Sequence, residues 1–146
     1  MVDHMLGRMV TWLRVLGCDT IFAGTLPDAE IARIAQQQSR ILLTRDRELY
    51  RRKGIRTILI ESENVDEQLA QVVRECALPL DSSSPRCALC NGVLQIVPKQ
   101  EADGNVPPYV FQTQDKFWRC AECGHFYWQG THWVSIRQRL DRLLTT

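Results

Sequence analysis

Two pairs of cysteines carry the strongest chemical signal in the chain. Each pair has the form Cys-x-x-Cys, and 29 residues separate the two pairs. The four residues are Cys87, Cys90, Cys120 and Cys123. Zn²⁺ prefers four thiolates in a tetrahedral arrangement, so two matched pairs predict a closed, structural zinc site that does not need His125 or His132. A thioredoxin-type redox pair is the alternative.

Acidic residues form a second candidate site. Asp3, Asp28 and Asp46 stand beside predicted strand ends or helix starts. Converging carboxylates bind Mg²⁺ or Mn²⁺, hard cations that also bind substrate phosphate, and in nucleases such ions activate a water molecule. The competing interpretation is helix capping, because Asp28 and Asp46 occupy positions where aspartate accepts backbone N–H groups. Spacing alone leaves both interpretations open.

The basic residues are 15 arginines and 3 lysines, and the formal net charge is only +1. Any site for a polyanion must therefore be local. Six basic residues lie close together in the sequence: Arg45, Arg47, Arg51, Arg52, Lys53 and Arg56. A planar guanidinium suits bidentate contact with phosphate, so Arg45, Arg47, Arg51 and Arg52 are candidate nucleic-acid contacts. The alternative is a solvated helix face.

The elements that must position the acidic residues follow an α/β pattern in residues 1–78. The pattern predicts four helices: one over 5–16, one that begins at a Thr25 cap, one over 46–54 and one over 65–76. It also predicts four strands: one that ends at Asp3, and others over 20–23, 41–44 and 57–60. Strands without internal alternation, each followed by a helix, describe a parallel sheet covered on both faces. Ligands bind beyond the carboxyl ends of such strands, so the acids, including Glu61 and Glu63, are expected at one edge.

The cysteine-bearing section has the features of a small zinc ribbon. Segments 93–97, 109–111, 117–118 and 126–128 are β-prone, and a helix is predicted from Thr131 with Trp133, Ile136, Leu140 and Leu143 facing inward. Zinc would supply folding energy that so small a core cannot. Tyr127, Trp128, His132 and Trp133 are candidates for stacking on RNA bases. Packing of Trp128 and Trp133 between ribbon and helix is favoured, which leaves Arg137, Arg139 and Arg142 for phosphate.

Four segments in this order resemble the Mut-seven C-terminal RNase family. They are DHMLGRMVTWLRVLGCDT at 3–20, PDAEIARIAQQQSRILLTRDRELYRR at 27–52, CALCNGVL at 87–94 and CAECGHFYWQGTHW at 120–133. The resemblance implies a PIN-like nuclease fold, named from the PilT N-terminus, followed by a zinc ribbon. It also implies an acidic metal site containing Asp3 and Asp46, with Asp28 as third member and Glu61 as a weaker fourth.

The family resemblance implies hydrolysis of RNA phosphodiester bonds with Mg²⁺ or Mn²⁺. The alternative is a non-catalytic RNA- or protein-binding adaptor. A toxin-type PIN nuclease is disfavoured because such chains lack the ribbon. Family members usually have a full apolar strand before the first acid, whereas only Met1 and Val2 precede Asp3 here. A short first strand, or a start further upstream, is therefore expected.

Composition and organisation complete the expectations. The chain has 146 residues, of which 45% are hydrophobic and 24% charged, so it is globular rather than disordered. Its apolar runs are far too short for a membrane span, and the N-terminus does not resemble a secretory signal, so a cytoplasmic location is expected. The polar stretch PLDSSSPR at 79–86 divides a nuclease section at 1–78 from the ribbon and C-terminal helix at 87–146.

Overall fold

The computed structural model describes residues 1–78 and 84–145, so the first five residues of the predicted linker lie outside the described part. The helices are a 3-10 helix His4–Leu6, α1 Gly7–Val15, α2 Asp28–Gln37, α3 Arg47–Tyr50, α4 Val65–Cys76, α5 Lys99–Ala102, α6 Pro108–Thr113 and α7 Thr131–Thr145. The strands are β1 Leu42–Thr44, β2 Thr57–Leu59, β3 Leu94–Val97, β4 Phe117–Cys120 and β5 Phe126–Tyr127. The fold is therefore mixed α/β.

A small parallel sheet organises the N-terminal section. Strands β1 and β2 pair in parallel, with Leu43 opposite Ile58. Val2 adds single parallel bridges to Leu43 on one side and to Phe22 on the other. The predicted strands at 20–23 and before Asp3 are thus reduced to bridge residues. The regular part of this sheet has two strands, but its bridges extend the parallel order to Phe22, Val2, β1 and β2.

Helices cover both faces of the parallel strands, as expected for strands with continuous apolar runs. On one face, α1 and α4 bury residues such as Met9 and Leu69 against Ile58 and Ile60. On the other face, α2 and α3 bury Ile31 and Leu49 against Leu42. The two helical layers hold β1 and β2 in place, and the acidic residues Asp46 and Glu61 follow the ends of these strands.

The C-terminal helix α7 returns to the N-terminal section. Its Leu140 is buried in the same cluster as α1 and α4, and Ile136 and Leu143 pack against that cluster. The predicted inward residues of this helix that the structure describes therefore face the core of residues 1–78. The side chain of Trp133 lies outside the described part of the structure.

An antiparallel sheet in the order β3-β4-β5 forms the ribbon. Phe117 of β4 is fully buried against Ala102, Val106 and Val110 of the α5–α6 region, and Trp128 packs on the same cluster. The β-strand prediction for 109–111 is wrong, because these residues belong to α6. Consecutive prolines at 107 and 108 explain the difference, since proline is pre-organised for the first position of a helix and cannot donate to a strand ladder.

One helix start also differs from the prediction. The cap of α2 is Pro27 rather than Thr25, and Asp28 is the first helical residue. A helix beginning after Thr25 would place Leu26 in a helical conformation directly before Pro27, which proline disfavours. By contrast, α4 spans the predicted residues, and the Asn64 side chain caps it by accepting from the N–H groups of Asp66 and Glu67.

Candidate functional sites

The four cysteines of the ribbon converge on one point. Their sulfur atoms all lie within 4.8 Å of one another. Cys87 Sγ is 3.6 Å from Cys123 Sγ, and Cys90 Sγ is 3.4 Å from Cys120 Sγ. Tetrahedral Zn–S bonds near 2.3 Å would separate the sulfurs by about 3.8 Å, whereas a disulfide needs about 2.05 Å. The cluster therefore fits a structural zinc ion.

The two cysteine knuckles share one backbone design. In the first, Asn91 N donates to Cys87 O and Cys87 N donates to Gly92 O; in the second, the same bonds join Gly124 to Cys120 and Cys120 to His125. Asn91 and Gly124, which follow the second cysteine of each pair, have φ of 70° and 79°. This left-handed conformation suits glycine and is tolerated by asparagine. It turns each loop back onto its own first cysteine.

Close packing around the sulfurs requires a glycine at position 92. A Cβ there would lie 2.6 Å from Cys120 Sγ and 2.8 Å from the Glu122 side chain. The amides of Glu122 and Cys123 point at Cys120 Sγ, at 3.4 and 3.5 Å. These two backbone donors fix the position of the Cys120 sulfur within the cluster.

Tyr127 supports the same centre from β5. Its hydroxyl accepts from Ala88 N at 3.1 Å and lies 3.0 Å from Cys87 Sγ, to which it donates when that sulfur is a thiolate. Burial acts to raise the pKa of Cys87, but hydrogen bonds from Tyr127 and from backbone amides outweigh it and lower that pKa to about 7. The Tyr127 hydroxyl is therefore engaged by the first cysteine knuckle, and its side chain is not free to stack on a base.

The first knuckle is hydrogen-bonded to the loop after α1. Asn91 Oδ1 accepts from Thr20 N at 3.0 Å, and Asn91 Nδ2 donates to Asp19 Oδ1 at 2.7 Å. The buried Arg14 guanidinium donates to Thr20 O at 3.1 Å and to Ala88 O at 2.8 Å. The sequence analysis did not predict that Arg14 and Asn91 connect the first knuckle to the N-terminal section. The one sequence feature that could have indicated it is the asparagine at position 91, where the second knuckle has Gly124.

Asp3 is the buried carboxylate of the N-terminal section, with 3% of its surface exposed. Its Oδ2 accepts from the Thr44 hydroxyl at 2.8 Å, and its Oδ1 accepts from His4 N at 2.7 Å. His4 Nδ1 lies 2.9 Å from Oδ1. No lysine or arginine pairs with Asp3 in the described part of the chain, which is unusual for a buried carboxylate.

Asp46 lies next to this arrangement. Its backbone N donates to Thr44 Oγ1 at 3.0 Å, so one hydroxyl connects the two aspartates. Asp46 Oδ1 caps α3 by accepting from Glu48 N at 2.8 Å and from Leu49 N at 3.4 Å. Its second oxygen accepts no hydrogen bond from any residue that the structure describes. Helix capping therefore occupies only one of the two carboxylate oxygens of Asp46.

The remaining predicted acids are less closely associated. Asp28 is exposed at the start of α2 and does not cap it. Glu61 is exposed after β2, and its backbone N donates to Gln71 Oε1 at 3.4 Å. Among the side chains that the structure describes, which do not include that of His132, the four cysteines are the one group of three or more His, Cys, Asp or Glu residues placed to hold a metal. Asp3, Asp28 and Asp46 do not form such a group.

The arginines near β1 differ in their surroundings. Arg45 is partly buried and forms an ion pair with Glu63 at 3.6 Å. Arg47, Arg51 and Arg52 are exposed on and after α3, whose N-terminus Asp46 caps. The exposed three thus follow Asp46 within one short segment of the chain, while Arg45 has Glu63 as a structural partner.

The arginines predicted to be available on the C-terminal helix are not equivalent. Arg139 pairs with Asp66 of α4 and lies 5.0 Å above the Trp12 ring, so it ties α7 to the N-terminal section. Arg142 donates to Gln138 O within the helix. Arg137 is exposed. Arg139 is therefore engaged by Asp66 and Trp12, but 42% of its side chain is exposed, and its availability to phosphate stays a prediction.

The family model described as the Mut7-C RNAse domain matches residues 1–140. The chain belongs to this family, and the resemblance inferred from its motifs is confirmed. A nuclease-like role follows at the level of the family. No curated protein and no solved structure matches the chain. None of the helices in the described ranges combines the length and apolar character needed to span a bilayer.

Proposed function

We propose that the protein is a metal-dependent ribonuclease that hydrolyses RNA phosphodiester bonds at the edge formed by Asp3 and Asp46. Membership of an RNase domain family supports the reaction class. The observation that carries the proposal is the burial of Asp3, directly after the bridge residue Val2 of the parallel sheet, without a permanent cation beside it. Thr44 and His4 give this carboxylate hydrogen bonds but no permanent positive charge, and a divalent cation would balance its charge.

The donors present fit a magnesium or manganese ion. Asp3 Oδ2 accepts one hydrogen bond and retains a second lone pair, and Asp46 Oδ2 accepts none from the described residues. Mg²⁺ commonly uses one or two carboxylates and completes its octahedron with water and substrate phosphate. Two aspartates therefore suffice. Asp28, exposed at the start of α2, is the proposed third acid.

Each residue has a distinct proposed task. The bound ion would activate a water molecule and stabilise the leaving oxygen. Thr44 orients the Asp3 carboxylate through its hydroxyl. Arg47, Arg51 and Arg52 hold the phosphate backbone, with Arg45 held back by Glu63. The Asp3 and Asp46 side chains hold the ion in one place relative to that phosphate.

The zinc ribbon is proposed to assist RNA binding. Zinc held by Cys87, Cys90, Cys120 and Cys123 keeps the first knuckle in shape, and Asn91 fixes that knuckle to the loop after α1. The ribbon exposes 70% of Tyr109, a ring that can stack on an unpaired base. A ribbon fixed to the nuclease section extends the surface along which a single strand of RNA can lie.

Cleavage of a mixed RNA panel with Mg²⁺ or Mn²⁺ tests the proposal. The unmutated, zinc-loaded chain should cleave only when a divalent ion is added, and Asp3→Asn should abolish cleavage. Asp115→Asn is a matched control, because Asp115 is an exposed acid on the ribbon whose ion-pair partner among the described residues is Lys99. Absence of cleavage by the unmutated chain under both ions would reject the enzyme.

A non-catalytic RNA- or protein-binding adaptor is the second candidate. Two observations favour it: Asp46 already caps α3, and the three predicted acids form no metal group in the described part of the chain. An adaptor would bind RNA through the same arginines but would not hydrolyse it. The cleavage assay therefore separates the two functions directly.

A further inference from the structure

The outer edge of β2 has unpaired backbone groups. Leu42 N donates to Arg56 O, and Ile60 N donates to Thr44 O, so Arg56, Ile58 and Ile60 direct their peptide groups at β1. In a parallel ladder, alternate residues point the opposite way. The peptide groups of Thr57 and Leu59 therefore face away from β1, where the described part of the chain has no further strand.

A groove of about 430 Å³ runs along this edge. Helix α4 forms one wall with the side chains of Gln71, Arg74 and Glu75, and Tyr50 of α3 lines the groove as well. Because α3 and α4 pack on opposite faces of the strands, the groove occupies the position of one more strand in the sheet. Its floor is the edge of β2 itself.

The side-chain amide of Gln71 pairs with two backbone groups of this edge. Its Nε2 donates to Leu59 O at 2.9 Å, and its Oε1 accepts from Glu61 N at 3.4 Å. A neighbouring strand would use these same two peptide groups. Gln71 therefore occupies the C=O of Leu59 and the N–H of Glu61. The N–H of Leu59 and the N–H and C=O of Thr57 stay open to the groove.

Thr57 supplies an independent sign of an absent partner. Its Oγ1 is buried and has no hydrogen-bond partner among the described residues. Buried hydroxyls are nearly always paired, so an unpaired one calls for an explanation. Thr57 lines the groove, and a polar group of an occupant there would satisfy it.

The charge of the groove indicates the chemistry of its occupant. Three carboxylates, those of Glu61, Glu67 and Glu75, and one guanidinium, that of Arg74, line it. Three negative charges against one positive charge favour a basic ligand. A second copy of this chain would bring the same excess of negative charge and is disfavoured.

We propose that the outer edge of β2 binds an extended, basic peptide segment of a partner protein by adding it to the sheet as a strand. Main-chain hydrogen bonds to Thr57 and Leu59 supply the pairing, and the acidic rim selects lysine or arginine side chains. The groove reaches the carboxyl end of β2 at Glu61, but neither Asp3 nor Asp46 lines it. The peptide-binding edge and the two proposed metal ligands are therefore distinct groups of residues.

The test uses the full, zinc-loaded chain and a fluorescent peptide of alternating lysine and valine. Fluorescence anisotropy should report saturable binding that weakens with salt, and a matched peptide of alternating glutamate and valine should not bind. Amide exchange measured by NMR should slow at Thr57 and Leu59 on addition of the lysine peptide. Ile58, whose N–H faces β1, serves as the internal control.

Two charge variants sharpen the test, because both positions are exposed and lie outside the proposed nuclease site. Glu75→Lys should weaken peptide binding, and Arg74→Glu should strengthen it, each by roughly two- to five-fold. Equal affinities for both variants, or unchanged exchange at Thr57 and Leu59, would overturn the proposal. Protection of these two amides before peptide is added, in a monomer or a dimer, would show that the chain itself covers the edge and would also overturn it.

Discussion

The Thr44 hydroxyl donates a hydrogen bond to Asp3 Oδ2 over 2.8 Å, and both side chains are buried. Thr44 Oγ1 also accepts a hydrogen bond from Asp46 N at 3.0 Å. Thr44 is the last residue of β1, so a single strand end fixes the relative positions of the two candidate metal ligands. The end of β1 therefore determines how Asp3 and Asp46 lie relative to one another.

Replacing Thr44 by valine should keep the shape and remove both hydrogen bonds. Asp3 Oδ2 and Asp46 N then lose a partner, which should cost about 1–3 kcal/mol of unfolding free energy. Denaturant unfolding measures this loss, and Mn²⁺ titration should show weaker binding. Thr44→Ser, which retains the hydroxyl, should recover most of both properties; if it behaves like valine, the hydroxyl has no role in the site.

Asp46→Asn separates capping from metal binding. Asparagine caps helices about as well as aspartate, so the unfolding free energy should change little, while divalent-ion binding in the N-terminal section should be lost. Asp46→Ala should in addition destabilise the fold by roughly 1 kcal/mol, since the cap is removed. Unchanged Mn²⁺ titration of the asparagine variant would assign Asp46 to capping alone.

Zinc content is the third prediction. The purified, reduced chain should carry about one zinc ion, which elemental analysis measures. Cys120→Ser should lose it, because Cys120 is buried and receives two backbone N–H groups. Cys18→Ser is the matched control, since Cys18 packs beside the main core outside the cysteine cluster. Zinc-free protein with an intact ribbon would contradict the expectation.

Asn91 should couple the zinc knuckle to the N-terminal section. Asn91→Gly keeps the left-handed backbone but removes the bonds to Thr20 N and Asp19, so zinc should be retained. The Thr20 amide should then exchange faster, and the chain should lose about 1 kcal/mol of stability. Hydrogen exchange followed by NMR measures both effects. A Thr20 amide as protected as in the unmutated chain would mean that this bond does not hold the two sections together.

Local signals made part of this structure predictable. Helix α4 has a regular apolar stripe and an asparagine cap, so its limits could be read from neighbouring residues. The cysteine pairs were equally clear, because metal coordination imposes a fixed spacing. The strand predicted for the three-residue run Tyr109–Phe111 was wrong, because the β propensity of these residues is weaker than the helix-starting effect of the two preceding prolines.

Contacts between distant parts of the chain could not be predicted in the same way. Asn91 meets Thr20 across 71 residues, and nothing in either local sequence marks the pairing. The position of Asp28 likewise depends on how Pro27 sets the start of α2. Gln71 is a polar residue on a helix until the structure shows it against the edge of β2. Such roles arise from packing and leave little trace in composition or periodicity.

The last prediction separates catalysis from RNA binding. Asp3→Asn should remove cleavage while RNA affinity stays nearly the same or rises slightly, because a carboxylate without its metal repels phosphate. Neutralising Arg51 and Arg52 together should do the reverse, weakening RNA binding and flattening its salt dependence as fewer counterions are released. Filter binding over a range of salt concentrations, paired with cleavage assays, measures both quantities. Since the two arginines are exposed and Asp3 is buried, unfolding curves must accompany the assays, and Asp3→Asn counts only if it unfolds at the same denaturant concentration as the unmutated chain. Loss of RNA affinity in a folded Asp3→Asn variant would assign that residue to binding and remove it from the proposed hydrolytic site.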